Sequence, residues 1–113
     1  MIAQNDIEKL VQTIVSSYKP EKVLLFGSYA SGTATENSDV DLLLVKDTHL
    51  PPHKRTGEIS ALLKGILFPL DIIIYTHNEF EQQSNQKYTF LNNALTHSKV
   101  LYEQPRNNTA MVA

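Results

Sequence analysis

Apolar positions along the chain follow two patterns. Ile7, Leu10, Val11, Ile14, Val15 and Tyr18 recur three and four apart, which places them on one face of a helix. Asn5, with Glu8 three residues later, is the expected reciprocal cap of that helix. Lys19-Pro20 is its expected end, because the residue before proline is steered away from helical geometry. Three short continuous apolar runs follow, at 23–26, 40–45 and 70–75, and read as strands; the run at 40–45 is too apolar to be exposed on both faces. Between the first two, Tyr29-Ala30-Ser31 suits a brief helix and 32–37 a polar loop. After the break at Pro51-Pro52, residues 56–67 suit a second helix despite Gly57 and Gly65. Residues 78–87 form a polar helical stretch poor in anchors, Phe90, Leu91, Ala94 and Leu95 suggest a further helix, and Val100-Leu101-Tyr102 is a short strand or packed coil. This order predicts an α/β (α+β) fold, with a small mixed sheet and helices in one domain over 1–104 and a mobile tail over 105–113.

Composition narrows the class of protein. With 113 residues and 42% hydrophobic content, the chain can build one core. It has no cysteine, which excludes disulfides and thiolate metal sites and fits a reducing compartment. No stretch approaches the roughly 18 apolar residues of a membrane span, and the N-terminus lacks the basic-then-apolar pattern of a secretory signal. A cytoplasmic protein is therefore expected, with no membrane partner. Ten basic and twelve acidic residues give a net charge of −2, without the basic surplus that neutralises a phosphate backbone. Direct nucleic-acid binding is not expected, and any such partner would need a local patch or another subunit.

The chemistry concentrates in residues 27–41. Asp39 and Asp41 flank Val40, and alternation along a strand points their side chains the same way. Two like charges at close range oppose each other's ionisation, an arrangement a divalent cation relieves. Asp71 sits one residue into the third strand; if the strands are neighbours, three carboxylates converge at one sheet end. Such a set can hold two metals, one at the attacking and one at the leaving oxygen. The bland alternative makes Asp39 a turn residue at a strand start, Asp71 a solvated strand end, and accounts poorly for Asp41 between Val40 and three leucines. Upstream, Gly27 lets backbone approach a ligand, and Ser28 adds a hydroxyl where a helix N-terminus would offer amides to phosphate. Alone, Gly27-Ser28 would pass for an ordinary turn. Followed after ten residues by Asp39-Val40-Asp41, it points to phosphoryl-group transfer. His49, His53, His77 and His97 show no ligand spacing and read as surface residues, Lys54-Arg55 as a solvated helix start, and Tyr29 and Tyr75 as packing residues.

At these positions the chain resembles the minimal nucleotidyltransferase family of the DNA polymerase beta superfamily. The family signature, G-S, ten residues, then D-x-D, is met by Gly27-Ser28 and Asp39-Val40-Asp41. The likeness extends to Leu70-Asp71-Ile72-Ile73 and Val100-Leu101-Tyr102-Glu103, about residues 7 to 103 in all. It implies that Gly27 and Ser28 contact the phosphates of ATP, and that Asp39, Asp41 and Asp71 form the catalytic set and bind magnesium, as two ions. Many members carry arginine where Ser31 stands, so a charge contact from that position is missing here. Members this small are similar to the antitoxin half of two-gene toxin–antitoxin systems, whose partner is a HEPN-domain ribonuclease. The resemblance thus implies a protein adenylyltransferase that moves AMP from ATP to a tyrosine hydroxyl of a HEPN toxin. The chain leaves no room for an acceptor-binding domain, so that surface is expected to come from the partner. Two alternatives stay open: an antitoxin that only masks its toxin, and nucleotidyl transfer to a small molecule. The mutually repelling acids argue against the first, and the missing acceptor domain against the second.

Overall fold

A computed structural model describes residues 1–105; the expected mobile tail lies outside them beyond Pro105. Helix α1 (Gln4–Tyr18) leads into strand β1 (Lys22–Phe26), a one-turn helix α2 (Ser28–Ser31) and strand β2 (Val40–Val45). Two 3-10 turns, Pro52–Glu58 and Ser60–Leu63, cross to strand β3 (Leu70–Tyr75). Helices α3 (His77–Ser84) and α4 (Phe90–Ala94) and a further 3-10 turn precede strand β4 (Lys99–Glu103). The four strands form one mixed sheet in the order β3-β2-β1-β4, with β2 and β3 parallel and the other pairs antiparallel.

Side chains alternate across this sheet, so it buries two separate clusters. One face carries Val23, Leu25, Val40, Leu42, Leu44 and Ile74 against Ile7, Leu10, Val11, Ile14 and Tyr18 of α1. The other carries Leu24, Phe26, Leu43 and Val45 against Leu91 of α4, with Ile73, Tyr75 and Phe80 packed around them. The central strands are therefore apolar on both faces, which is why they read as unbroken runs rather than alternating ones. The second cluster is the smaller, and its covering helices are short.

Local chemistry departs from expectation in three places. The first helix begins one residue earlier than Asn5: Ala3 is its extended N-cap residue, no side chain caps it, and the amides of Asp6 and Ile7 bond to the Ala3 carbonyl. The Ile2 amide instead donates to the Tyr29 hydroxyl at 3.0 Å, which fixes the chain entry and uses Tyr29 as a packing residue. Residues 56–67 form no α-helix; the segment tightens into 3-10 turns and then breaks at Gly65, whose φ is 89°. Arg55, within the first of these turns, is not a solvated residue but is only 4% exposed. Its guanidinium donates to the Leu50 and Ile74 carbonyls at 2.8 and 3.0 Å and pairs with both carboxylate oxygens of Glu79. It thereby ties the crossover segment to edge strand β3, and Glu79 completes a capping box with Thr76 at the start of α3. No helix among the described residues is long and apolar enough to cross a membrane.

Candidate active site

The acids gather where the smaller apolar face ends. Register pairs Phe26 with Asp41 across β1 and β2, and Asp41 with Asp71 across β2 and β3. Phe26, Asp41 and Asp71 thus form a row on one face, with Asp71 at the sheet edge and the Gly27-Ser28 turn continuing from the β1 side. Asp39 stands just before β2, exposed, with Val40 buried between it and Asp41. Its approach is set by a tight turn in which Ser38 accepts from the Thr35 amide at 2.8 Å, and by the Val40 amide, which bonds to the Pro69 carbonyl at 3.0 Å. That last bond latches the starts of β2 and β3, and with them Asp39, Asp41 and Asp71, to one end of the sheet.

Gly27 has a structural task that its place in a motif only hints at. Its φ of 72° is in the region that favours glycine, and a Cβ built there would overlap Oδ2 of Asp41. The glycine therefore makes the room in which the Asp41 carboxylate sits. That carboxyl is held above the usual aspartate range, by burial first and then by the negative charges of Asp71 and Asp39. After Gly27 the chain turns at once into α2, whose Ala30 and Ser31 amides bond back to the Gly27 carbonyl at 3.1 and 3.0 Å. The amides of Ser28 and Tyr29, first in the helix, have no carbonyl inside it to bond. Ser31 spends its hydroxyl locally, on Thr33 at 2.8 Å, so nothing at this position replaces a cation.

The donor set suits the metal that the signature implies. Among the described residues, no three acidic or histidine side chains already converge closely enough to hold an ion alone. Magnesium does not need them to, since it takes one or two carboxylates and completes its shell with water and substrate phosphates. All-oxygen donors, the charge crowding on Asp41 and the glycine-made room beside it fit that ion.

Other titratable groups serve the scaffold. His77, expected as a plain surface residue, is half-exposed and holds Glu21 at 2.9 Å at the opposite end of the sheet. Tyr75 is raised above the usual tyrosine range by burial and then by the charge of Glu79. Arg55 and Phe90, whose ring meets Phe26 edge-on at 5.8 Å, stood out by no sequence signal, because each depends on a partner far away in the chain.

Comparison with known proteins bears on the family and on the fold. The family described as polymerase beta, nucleotidyltransferase, matches residues 8–107. A protein of Methanocaldococcus jannaschii provisionally named a protein adenylyltransferase is 32% identical over 106 residues, spanning 90% of this chain and 100% of that one. Among solved structures, a provisionally named nucleotidyltransferase of Sulfolobus solfataricus superposes with a TM-score of 0.62 at 21% identity, covering 87% of this chain and 78% of the other. A toxin–antitoxin complex with AMP-PNP superposes with a TM-score of 0.61 at 19% identity, covering 91% and 78%. At these identities the structural likeness concerns the fold.

Proposed function

The chain belongs to the polymerase beta nucleotidyltransferase family, and from that premise we propose that it is an antitoxin that transfers AMP from ATP to a tyrosine hydroxyl of a HEPN ribonuclease toxin. The observation that carries the reading is the row Phe26–Asp41–Asp71 with Gly27 shaped around the Asp41 carboxylate. A binding surface gains nothing from acids that repel one another, one of them half-buried, whereas a transfer site requires negative ligands beside a phosphate turn. The name of the Methanocaldococcus jannaschii relative supports protein as the acceptor class, and the toxin–antitoxin neighbour supports the kind of partner.

In this mechanism the phosphates of ATP lie on the Gly27-Ser28 turn, where the free amides and the Ser28 hydroxyl donate to them. Asp39, Asp41 and Asp71 would hold magnesium, as two ions, whose chemistry when bound is to neutralise charge on the reacting phosphates. Asp71 is exposed on the edge strand; in this mechanism it lies toward the acceptor and takes the proton of the incoming tyrosine hydroxyl. The tyrosyl oxygen forms its bond to the α-phosphorus as the bond to pyrophosphate breaks. Positioning and charge stabilisation supply most of the rate in such transfers. The site acts in the cytoplasm, where ATP and the toxin are both present.

The test is stoichiometric. The protein is mixed with a HEPN toxin encoded beside it, ATP and magnesium, and is then removed. Catalysis leaves the toxin heavier by AMP and inactive, at antitoxin ratios well below one. A toxin of unchanged mass that regains activity, and that needed equimolar protein, would show masking instead.

A further inference from the structure

Beside the acid row lies an aromatic surface that the transfer chemistry above does not use. Phe90 packs its ring edge-on against Phe26, centroid to centroid at 5.8 Å and 85°, yet 54% of Phe90 remains exposed. Two residues earlier, Tyr88 is 98% exposed. Its φ of 71° is a conformation that a bulky residue adopts only at a cost. With Lys87, Thr89, Asn92 and Asn93 these rings line an open groove of about 470 Å3. The groove is built rather than loose. Thr89 caps α4 through the Asn92 amide at 3.0 Å and bonds the Gln83 carbonyl at 2.9 Å, while the Asn92 side chain bonds the Ser84 carbonyl at 2.9 Å. Two large aromatic surfaces are therefore left facing solvent on a pinned turn.

Position across the sheet decides what they serve. The row runs Asp71, Asp41, Phe26 from β3 to β1, and the phosphate turn is the continuation of β1. Phe90 stands on Phe26, so the aromatic surface is on the phosphate-turn side of Asp41 and away from Asp71, the edge left to an acceptor. We propose that Phe90 and Tyr88 form the shelf on which the adenine base of ATP stacks, an assignment that rests on the nucleotidyl-transfer reading. Every base has a π-face that stacks on such rings. The side-chain amide of Asn93, which lines the same groove, offers the donor and acceptor pair that matches the adenine edge.

The test compares two probes on the full chain by calorimetry, magnesium-ATP and inorganic tripolyphosphate. Phe90→Leu keeps an apolar side chain on Phe26 but removes the ring, and Tyr88→Ala removes a side chain that packs on nothing. Each is expected to weaken ATP about tenfold, the loss of roughly one stacking contact, with tripolyphosphate unchanged within about twofold. Phe90→Trp should restore ATP binding. Unchanged ATP affinity in both variants overturns the shelf, including the case in which transfer to the acceptor slows while ATP binds normally. An equal loss of tripolyphosphate also overturns it, since the rings would then only support the turn. Wild-type protein that binds neither probe would sink the transfer reading and the shelf with it, whereas wild-type protein that binds ATP no more tightly than tripolyphosphate sinks the shelf alone.

Discussion

Two acidic groups stand at opposite ends of β3 and are built on opposite rules. Beyond its C-terminal end, Glu79 meets the buried Arg55 fork, accepts from the Thr76 amide, and is held below the usual glutamate range, chiefly by the hydrogen bonds from Arg55. At its N-terminal end, Asp71 meets Asp41 and Asp39, none of them in a salt bridge among the described residues, and Asp41 is held above the usual range. The first cluster is complete without any ligand and fastens the crossover segment to the edge of the sheet. The second is complete only with something positive between its members. Folding favours the one and tolerates the other, as the proposed role of the second in transfer requires.

The contrast is broken most severely by neutralising the second cluster. Asp39→Asn with Asp41→Asn keeps the shapes and removes the repulsion. Transfer should fall by at least about a thousandfold, the several kcal/mol that charge neutralisation at phosphate contributes. The melting temperature in a chelator should equal or exceed that of wild type at neutral pH, because the folded state there bears an Asp41 charge it disfavours. A strongly lowered melting temperature would make these acids structural.

Breaking the first cluster should do the reverse. Glu79→Gln leaves Arg55 buried without its charge partner, at a cost of about 3 kcal/mol, or on the order of 12 °C in melting temperature. The pH sign follows from the lowered carboxyl. Its stabilisation is fully present above the ordinary glutamate pKa of about 4.3 and is lost as pH falls through the lower folded value. Melting curves of wild type and Glu79→Gln should therefore converge in acid and separate above about pH 5. Parallel curves across that range would show that the pair contributes nothing.

Gly27→Ala sits between the two clusters in its effects. The added Cβ both occupies a disfavoured φ and displaces the Asp41 carboxylate, so about 2 kcal/mol of stability should be lost together with most of the transfer activity. Smallest is Thr76→Ala, which removes the hydroxyl half of the capping box and should cost about 1 kcal/mol with little effect on transfer.

The two clusters also differ in how far the sequence betrays them. The acid row was legible because its parts lie on apolar runs whose strand character needs no distant partner, and because Gly27-Ser28 and Asp39-Val40-Asp41 are spaced closely enough to read together. Their placement follows from a sheet in which the second and third runs pair in parallel, Asp41 opposite Asp71. Arg55 was not legible. Next to Lys54 it reads as a solvated start of a helix, and only the fold brings Glu79 to it. Instead of the helix expected over 56–67, the chain forms 3-10 turns at Pro52–Glu58 and Ser60–Leu63, and tertiary context overrides local propensity there. Asn5 failed as a cap for a similar reason, since Ala3 takes the N-cap position two residues earlier and Tyr29 fixes the chain entry. Phe90 and Tyr88 look like ordinary helix-flanking aromatics until the register sets Phe26 beside Asp41.

The central claim, that the second cluster transfers the α-phosphorus of ATP to a protein, is tested most directly by following the label. The partner toxin is incubated with limiting protein, magnesium and ATP carrying radiolabel at either the α- or the γ-phosphate. Adenylyl transfer predicts that the α-label alone becomes acid-stable on a toxin tyrosine, while the γ-label leaves as pyrophosphate. A toxin that is lastingly silenced with neither label attached, or that takes the γ-label, would contradict it.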